Sequence, residues 1–123
     1  MKNIFIDNIE EITIKNNNYR KVLNTTKQSQ LVVMSLKKGE DIGTEIHKDV
    51  TQFIRIEKGH GKAILDNKEY KLKDGSAIVI PAGTEHNVIN TSKINSLKLY
   101  AIYSPPEHKP GTIQKNKPKE EHH

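Results

Sequence analysis

A chain of 123 residues has room for one domain with one modest core, and therefore for one buried site. Only 33% of it is hydrophobic and its aromatics are four tyrosines and two phenylalanines, so the core must come from Ile, Leu and Val, which favours strands over helices. The absence of cysteine excludes disulfides, thiolate metal ligands and a cysteine nucleophile, and the net charge of +5 is spread over lysines interleaved with acids, unlike a nucleic-acid footprint.

From the start, Met1-Lys2-Asn3-Ile4-Phe5-Ile6 meets Asp7 too early for a signal peptide, and no apolar run approaches the roughly 18 residues a membrane span needs. A cytoplasmic protein without a membrane partner is the expectation. Residues 1–29 are read as N-terminal strands, and Ile4-Phe5-Ile6 as an edge that could add to a partner's sheet in a homodimer. Gln30 to Leu36 is a β-rich run, and in Gln52 to Glu57 the alternation puts Gln52, Ile54 and Ile56 on one face. A turn at Lys58 to Gly61 leads to Lys62–Leu65, then Asp66-Asn67 turns the chain into Glu69–Lys73, and Asp74-Gly75 turns it again. Ser76 to Ile80 stops at Pro81, a strand spans about His86 to Asn90, and the last runs from Leu97 to Tyr103. From Ser104 the composition becomes proline- and lysine-rich without apolar periodicity, so 104–123 is expected to be an irregular tail. Its terminal Glu121-His122-His123 is set aside from site reasoning. The whole is an all-β pattern of short strands and turns, that of an antiparallel sandwich or barrel.

Within this pattern, Gly75, Pro81, Gly83, His86 and Asn90 stand at the spacing of the second cupin motif, filling each of its fixed positions. Pro81 and Gly83 suit a tight turn between two strands that would set His86 pointing inward, where an imidazole can meet a metal. The first cupin motif can be laid on Gly39 through Gly59 with two changes: Glu45 takes the first histidine position, His47 the second, and Gln52 the place where the family usually has Glu. Over residues 30–103 the chain thus resembles the cupin superfamily. The resemblance implies a double-stranded β-helix, or jelly-roll, cupin barrel that often dimerises, with Glu45, His47, Gln52 and His86 as the metal set.

Strand alternation puts Glu45 and His47 on one face, as two ligands of one ion require. Two imidazoles, a carboxylate and an amide oxygen suit one divalent ion, whether iron, manganese, nickel, cobalt or zinc. An amide is a weak ligand, so Gln52 could instead bond a metal-bound water. Two alternatives stay open: His47 and His86 paired with Glu45 and Gln52 in a metal-free pocket that takes a ligand directly, and a shifted register, His47-Lys48-Asp49, in which Asp49 is the second ligand.

Candidates for proton chemistry are few. Tyr100 and Tyr103 have opposite parity on the last strand, and Tyr103 shares parity with Leu97, Leu99 and Ala101, which suits a pocket wall. His108 follows the stiff Pro105-Pro106-Glu107 and could fold across the barrel mouth. Arg55 should face away from the pocket, Lys98 should be solvated, and His60, between two glycines, belongs to a surface turn. No nucleophile elbow or phosphate-binding glycine loop occurs, which disfavours acyl transfer and nucleotide chemistry. A metal-dependent enzyme acting on a sugar, sugar acid or oxo-acid, by isomerase-like or oxygenase chemistry, is the leading expectation. A non-catalytic ligand-binding or sensing module is its rival.

Overall fold

The computed structural model describes residues 2–119. Its elements are α1 (Ile9–Lys15), β1 (Arg20–Thr25), β2 (Gln30–Leu36), β3 (Glu45–Ile46), β4 (Thr51–Lys58), β5 (Gly61–Leu65), β6 (Lys68–Leu72), β7 (Ala77–Ile80), β8 (Glu85–Asn90), β9 (Leu97–Ser104) and β10 (Ile113–Gln114). The strands form two antiparallel sheets, one in the order β10-β1-β2-β9-β4-β7 and one in the order β3-β8-β5-β6. This is an all-β jelly roll.

The core lies between the sheets and follows the period-two pattern. Ile54 and Ile56 of β4, Leu97, Leu99 and Ala101 of β9, Val32 and Met34 of β2, and Ala63 and Val88 of the smaller sheet have no exposed surface. Gln52 continues the inward face of β4 and is buried as well, at 2% exposed. Asp66 and Asn67 both adopt positive φ (47° and 68°), the left-handed pair that closes a two-residue hairpin between β5 and β6. At Gly61 a side chain is excluded for another reason, because a Cβ would stand 2.5 Å from the Ile89 carbonyl oxygen. Asn90 closes one end of the barrel: its amide donates to the carbonyls of Leu36, Lys37 and Asn95, and its oxygen accepts from the Ser92 amide.

Two expectations for the ends are corrected. Residues 1–29 are not strands throughout, since 9–15 form α1. Asn8 caps this helix by accepting the Glu11 amide, acids occupy its first turn, and Lys15 pairs with Glu11 one turn back. Ile4-Phe5-Ile6 is not in a strand either, and Ile4 and Ile6 are exposed. Helix α1 packs against β2, β9 and β4, so that Val33, opposite in parity to Val32, is also fully buried. Lys98 is half-buried as a result: its ammonium donates to the Asn16 carbonyl at the helix C-cap and to the Asn17 side chain.

The tail, described as far as residue 119 with 120–123 lying outside the described residues, is irregular apart from one two-residue strand, yet it is bonded to the barrel. β10 adds to β1 in the register Arg20↔Gln114, with further bonds from Tyr19 to the Lys115 carbonyl and from Val22 to that of Thr112. Farther on, Lys117 pairs with Asp41 at 2.6 Å. Earlier in the tail, Gln30 donates to the His108 carbonyl (2.7 Å) and accepts the His108 amide (2.9 Å). Polar side-chain bonds, which apolar periodicity does not register, hold this segment down.

Candidate metal centre

Three sequence-nominated side chains converge. One potential ligand atom from each of Glu45, His47 and His86 lies within 4.8 Å of the others, a group that can hold a metal ion. β3 supplies Glu45 and carries the chain on to His47, and Glu45 pairs directly with His86 of β8. The Pro81–Gly83 turn holds both histidines. Gly83 donates its amide to the His47 carbonyl at 2.8 Å, and one residue on, the Thr84 carbonyl lies 2.9 Å from His86 Nδ1. That carbonyl can only accept, so His86 Nδ1 carries the proton and the lone pair is on Nε2.

His86 is 2% exposed, and its Nε2 has no hydrogen-bond partner among the described residues. Gln52 on β4 is buried to the same degree, and its Oε1 also has none. Buried polar atoms are nearly always paired. An imidazole fixed through one nitrogen, with the other bare and near a carboxylate and a second imidazole, fits a divalent cation. His47 stands between two carboxylates, with Nε2 at 3.8 Å from Glu45 and Nδ1 at 3.6 Å from Glu107. Its ring centroid is 5.1 Å from that of His86.

Asp49 is exposed and outside the group, whereas Glu45, in the unshifted register, is inside it. Tyr103 is buried, with its ring 6.3 Å from His47 and edge-on to His108 at 5.0 Å. Burial pushes the Tyr103 hydroxyl far above its ordinary range, partly offset by Arg20, so it stays protonated as a pocket wall. Tyr100 points to the outer face, where its ring neighbours Phe53. Arg55 is on that same outer parity and contacts Glu57, and His60 is exposed.

His108 does fold back to the barrel. Its imidazole is half-buried, with a pKa lowered from 6.5 to about 4, by burial first and then by Arg20 and His47. The residue is neutral at pH 7, and its Nε2 is buried without a partner among the described residues.

Sequence reasoning missed Glu107, Gln30, Arg20 and Tyr19. Glu107 reaches His47 from the tail, and Gln30 positions both Glu107 and His108. Tyr19 and Arg20 line a cavity of about 620 Å³ that also touches Glu45. Alternation along β1 already put Arg20 and Val22 on one face, the only signal that Arg20 points inward.

Comparison with known proteins agrees with this architecture. The Cupin domain family model matches residues 32–103. Protein L612 of Acanthamoeba polyphaga mimivirus is 51% identical over 118 residues, covering 94% of this chain and 74% of its own length. YrkC of Bacillus subtilis is 49% identical over 119 residues, covering 92% of this chain, which spans only 63% of YrkC. The crystal structure of BH2720 from Bacillus halodurans superposes with a TM-score of 0.89 at 44% identity, covering 92% of this chain and 89% of that one.

Proposed function

This chain belongs to the cupin family, and from that premise we propose that it is a divalent-metal enzyme acting on a small, oxygen-rich molecule of the sugar, sugar-acid or oxo-acid class. The observation that carries the reading is the buried, unpartnered Nε2 of His86, fixed through Nδ1 and set beside Glu45 and His47. Glu45, His47 and His86 would hold the ion, and Gln52 offers its free amide oxygen from β4. A divalent ion supplies Lewis acidity toward carbonyl and hydroxyl oxygens.

The remaining work falls to the chain's own groups. Glu107 faces His47 Nδ1 at 3.6 Å and adds a second negative charge beside the residues that would hold the cation. His108, neutral at pH 7 and bare at Nε2, offers a hydrogen-bond acceptor, and its lowered pKa makes it a weak base, so the reaction proposed stays isomerase-like or oxygenase chemistry. Tyr103 walls the pocket between the two imidazoles. The unit we propose is a cytoplasmic homodimer without a nucleic-acid partner, with the exposed Ile4 and Ile6 as its apolar edge. A monodisperse monomer in light scattering would remove the dimer from the proposal.

The deciding test is elemental analysis of protein lacking His122 and His123, since a terminal histidine pair can bind metal by itself. Close to one equivalent of metal in the parent, lost in both His47→Ala and His86→Ala, is the expected result. A parent that carries no metal and cannot be loaded would favour a metal-free ligand-binding pocket instead.

A further inference from the structure

Arg20 opens β1 and pairs across to Met34, a residue with no exposed surface. It is itself 9% exposed. Its guanidinium lies 5.1 Å from the centre of the Tyr19 ring, and Nη1 donates to the Gln114 amide oxygen at 2.6 Å. Among the described residues its Nε is buried with no partner, and no carboxylate lies within ion-pair distance of this cation. A charge buried in this way is costly unless a counter-ion reaches it.

The position of Arg20 indicates where that counter-ion would come from. Arg20 lines the cavity of about 620 Å³ that Glu45 also borders, a volume in the usual range of small-molecule pockets. Of the other charged side chains in its wall, Asp41 and Lys117 neutralise each other, while Lys119 adds a positive charge at the rim. With Glu45 engaged by a cation, the cavity is left with an excess of positive charge. A guanidinium presents paired donors that match the oxygens of a carboxylate or phosphate.

We propose that Arg20 is a substrate-binding residue that anchors an anionic oxygen group, so that the molecule handled here is a small acid whose other oxygens face Glu45, His47 and His86. The inference deepens the enzyme reading above and rests on it for the role of the bound acid, but the anion site itself does not require a metal. The Arg20 charge also extends toward the rest of the pocket, where it lowers the pKa of His108 after burial has done so.

The test uses chelator-treated full-length protein, with pyruvate and inorganic phosphate as probes and neutral hydroxyacetone as the control. Binding is followed by calorimetry and by the Arg20 Nε–Hε NMR signal. At least one anion should bind and move that signal, at least tenfold more weakly in Arg20→Gln and to an intermediate extent in Arg20→Lys, while hydroxyacetone moves nothing. Stronger binding of pyruvate identifies a carboxylate, and stronger binding of phosphate a phosphoryl group, as the natural anchor. Equal binding by wild type and Arg20→Gln, no binding of either anion, or an Nε signal unmoved at saturation overturns the proposal. If Arg20→Gln does not fold, the Arg20→Lys comparison and the Nε signal decide alone. Metal loading of the same variants separates the two readings: a failed metal centre leaves the anion result standing, and a failed anchor leaves metal loading intact.

Discussion

Replacing Gln30 by Leu should release the tail from the barrel without unfolding it. Gln30 is 1% exposed on β2, and its amide makes two short bonds to the backbone of His108 (2.7 and 2.9 Å) and a longer one to the Glu107 amide at 3.3 Å. Leucine keeps the strand and most of the volume but can make none of them. Taking about 1 kcal/mol for each of the two short bonds, the docked tail loses about 2 kcal/mol, roughly a thirtyfold shift toward the released state. Amide hydrogen exchange measures this directly. The His108 and Glu107 amides should exchange about thirtyfold faster. Tyr19 and Val22, whose amides bond Lys115 and Thr112, should follow to a smaller extent, and Val32 and Leu99 not at all. Metal affinity should fall as well, since Glu107 would leave His47. Unchanged protection at His108 would show that other contacts hold the tail. A matching loss at Val32 and Leu99 would show that Gln30 is part of the core rather than a clamp.

Four further outcomes are expected. His108 has a folded pKa near 4 against 6.5 for the free group, so the unfolded chain binds its proton first; stability should decline as pH falls from about 6.5 to about 4, with a shallower slope in His108→Gln when unfolding is followed against pH. Gln52→Leu removes a buried amide oxygen with no partner and should stabilise the metal-free protein by about 1 kcal/mol in urea titrations while weakening metal binding. Asn90→Ala strands the Leu36, Lys37 and Asn95 carbonyls and should cost about 3 kcal/mol by the same assay. Gly61→Ala forces a Cβ against the Ile89 backbone and should cost about 2–3 kcal/mol, whereas Gly39→Ala, at φ +72° with open space around it, should cost about 1 kcal/mol.

The central strands were legible because their signals are local. Asp66-Asn67 is a hairpin turn by its own chemistry, Pro81 ends β7 one residue after Ile80, and alternation alone puts Gln52, Ile54 and Ile56 inside. The ends were not. Helix α1 is seven residues long, too short for a helical period to stand out, although Asn8 with Glu11 three residues later is a recognisable capping pair. The tail is fixed by contacts such as Gln30 to His108, 78 residues apart, and its lysine-rich composition carries no trace of them. The same division runs through the site. His86 and the Glu45/His47 pair come from a motif of fixed spacing, but Glu107 reaches His47 across 60 positions, and only the pairing of β10 with β1 brings Gln114 to Arg20.

Of the buried side-chain polar atoms without hydrogen-bond partners among the described residues, four sit on groups that face the barrel interior or its mouth: Gln52 Oε1, His86 Nε2, His108 Nε2 and Arg20 Nε. The fifth, Arg55 Nε, is on the outer face and lies 3.4 Å from Glu57. For stability alone, apolar side chains of similar size would serve this interior better, since an unpaired buried polar group costs more than it returns. The charges are also sorted. Glu45 and Glu107 flank His47, where a cation is favoured, while Arg20 stands in the adjoining wall, where an anion is favoured. A site built only to hold a metal has no need of the buried arginine, and one built only for an anion has no need of two acids beside a histidine pair. A ligand that brings an anionic group to Arg20 and neutral oxygens to a cation at Glu45, His47 and His86 satisfies both halves at once.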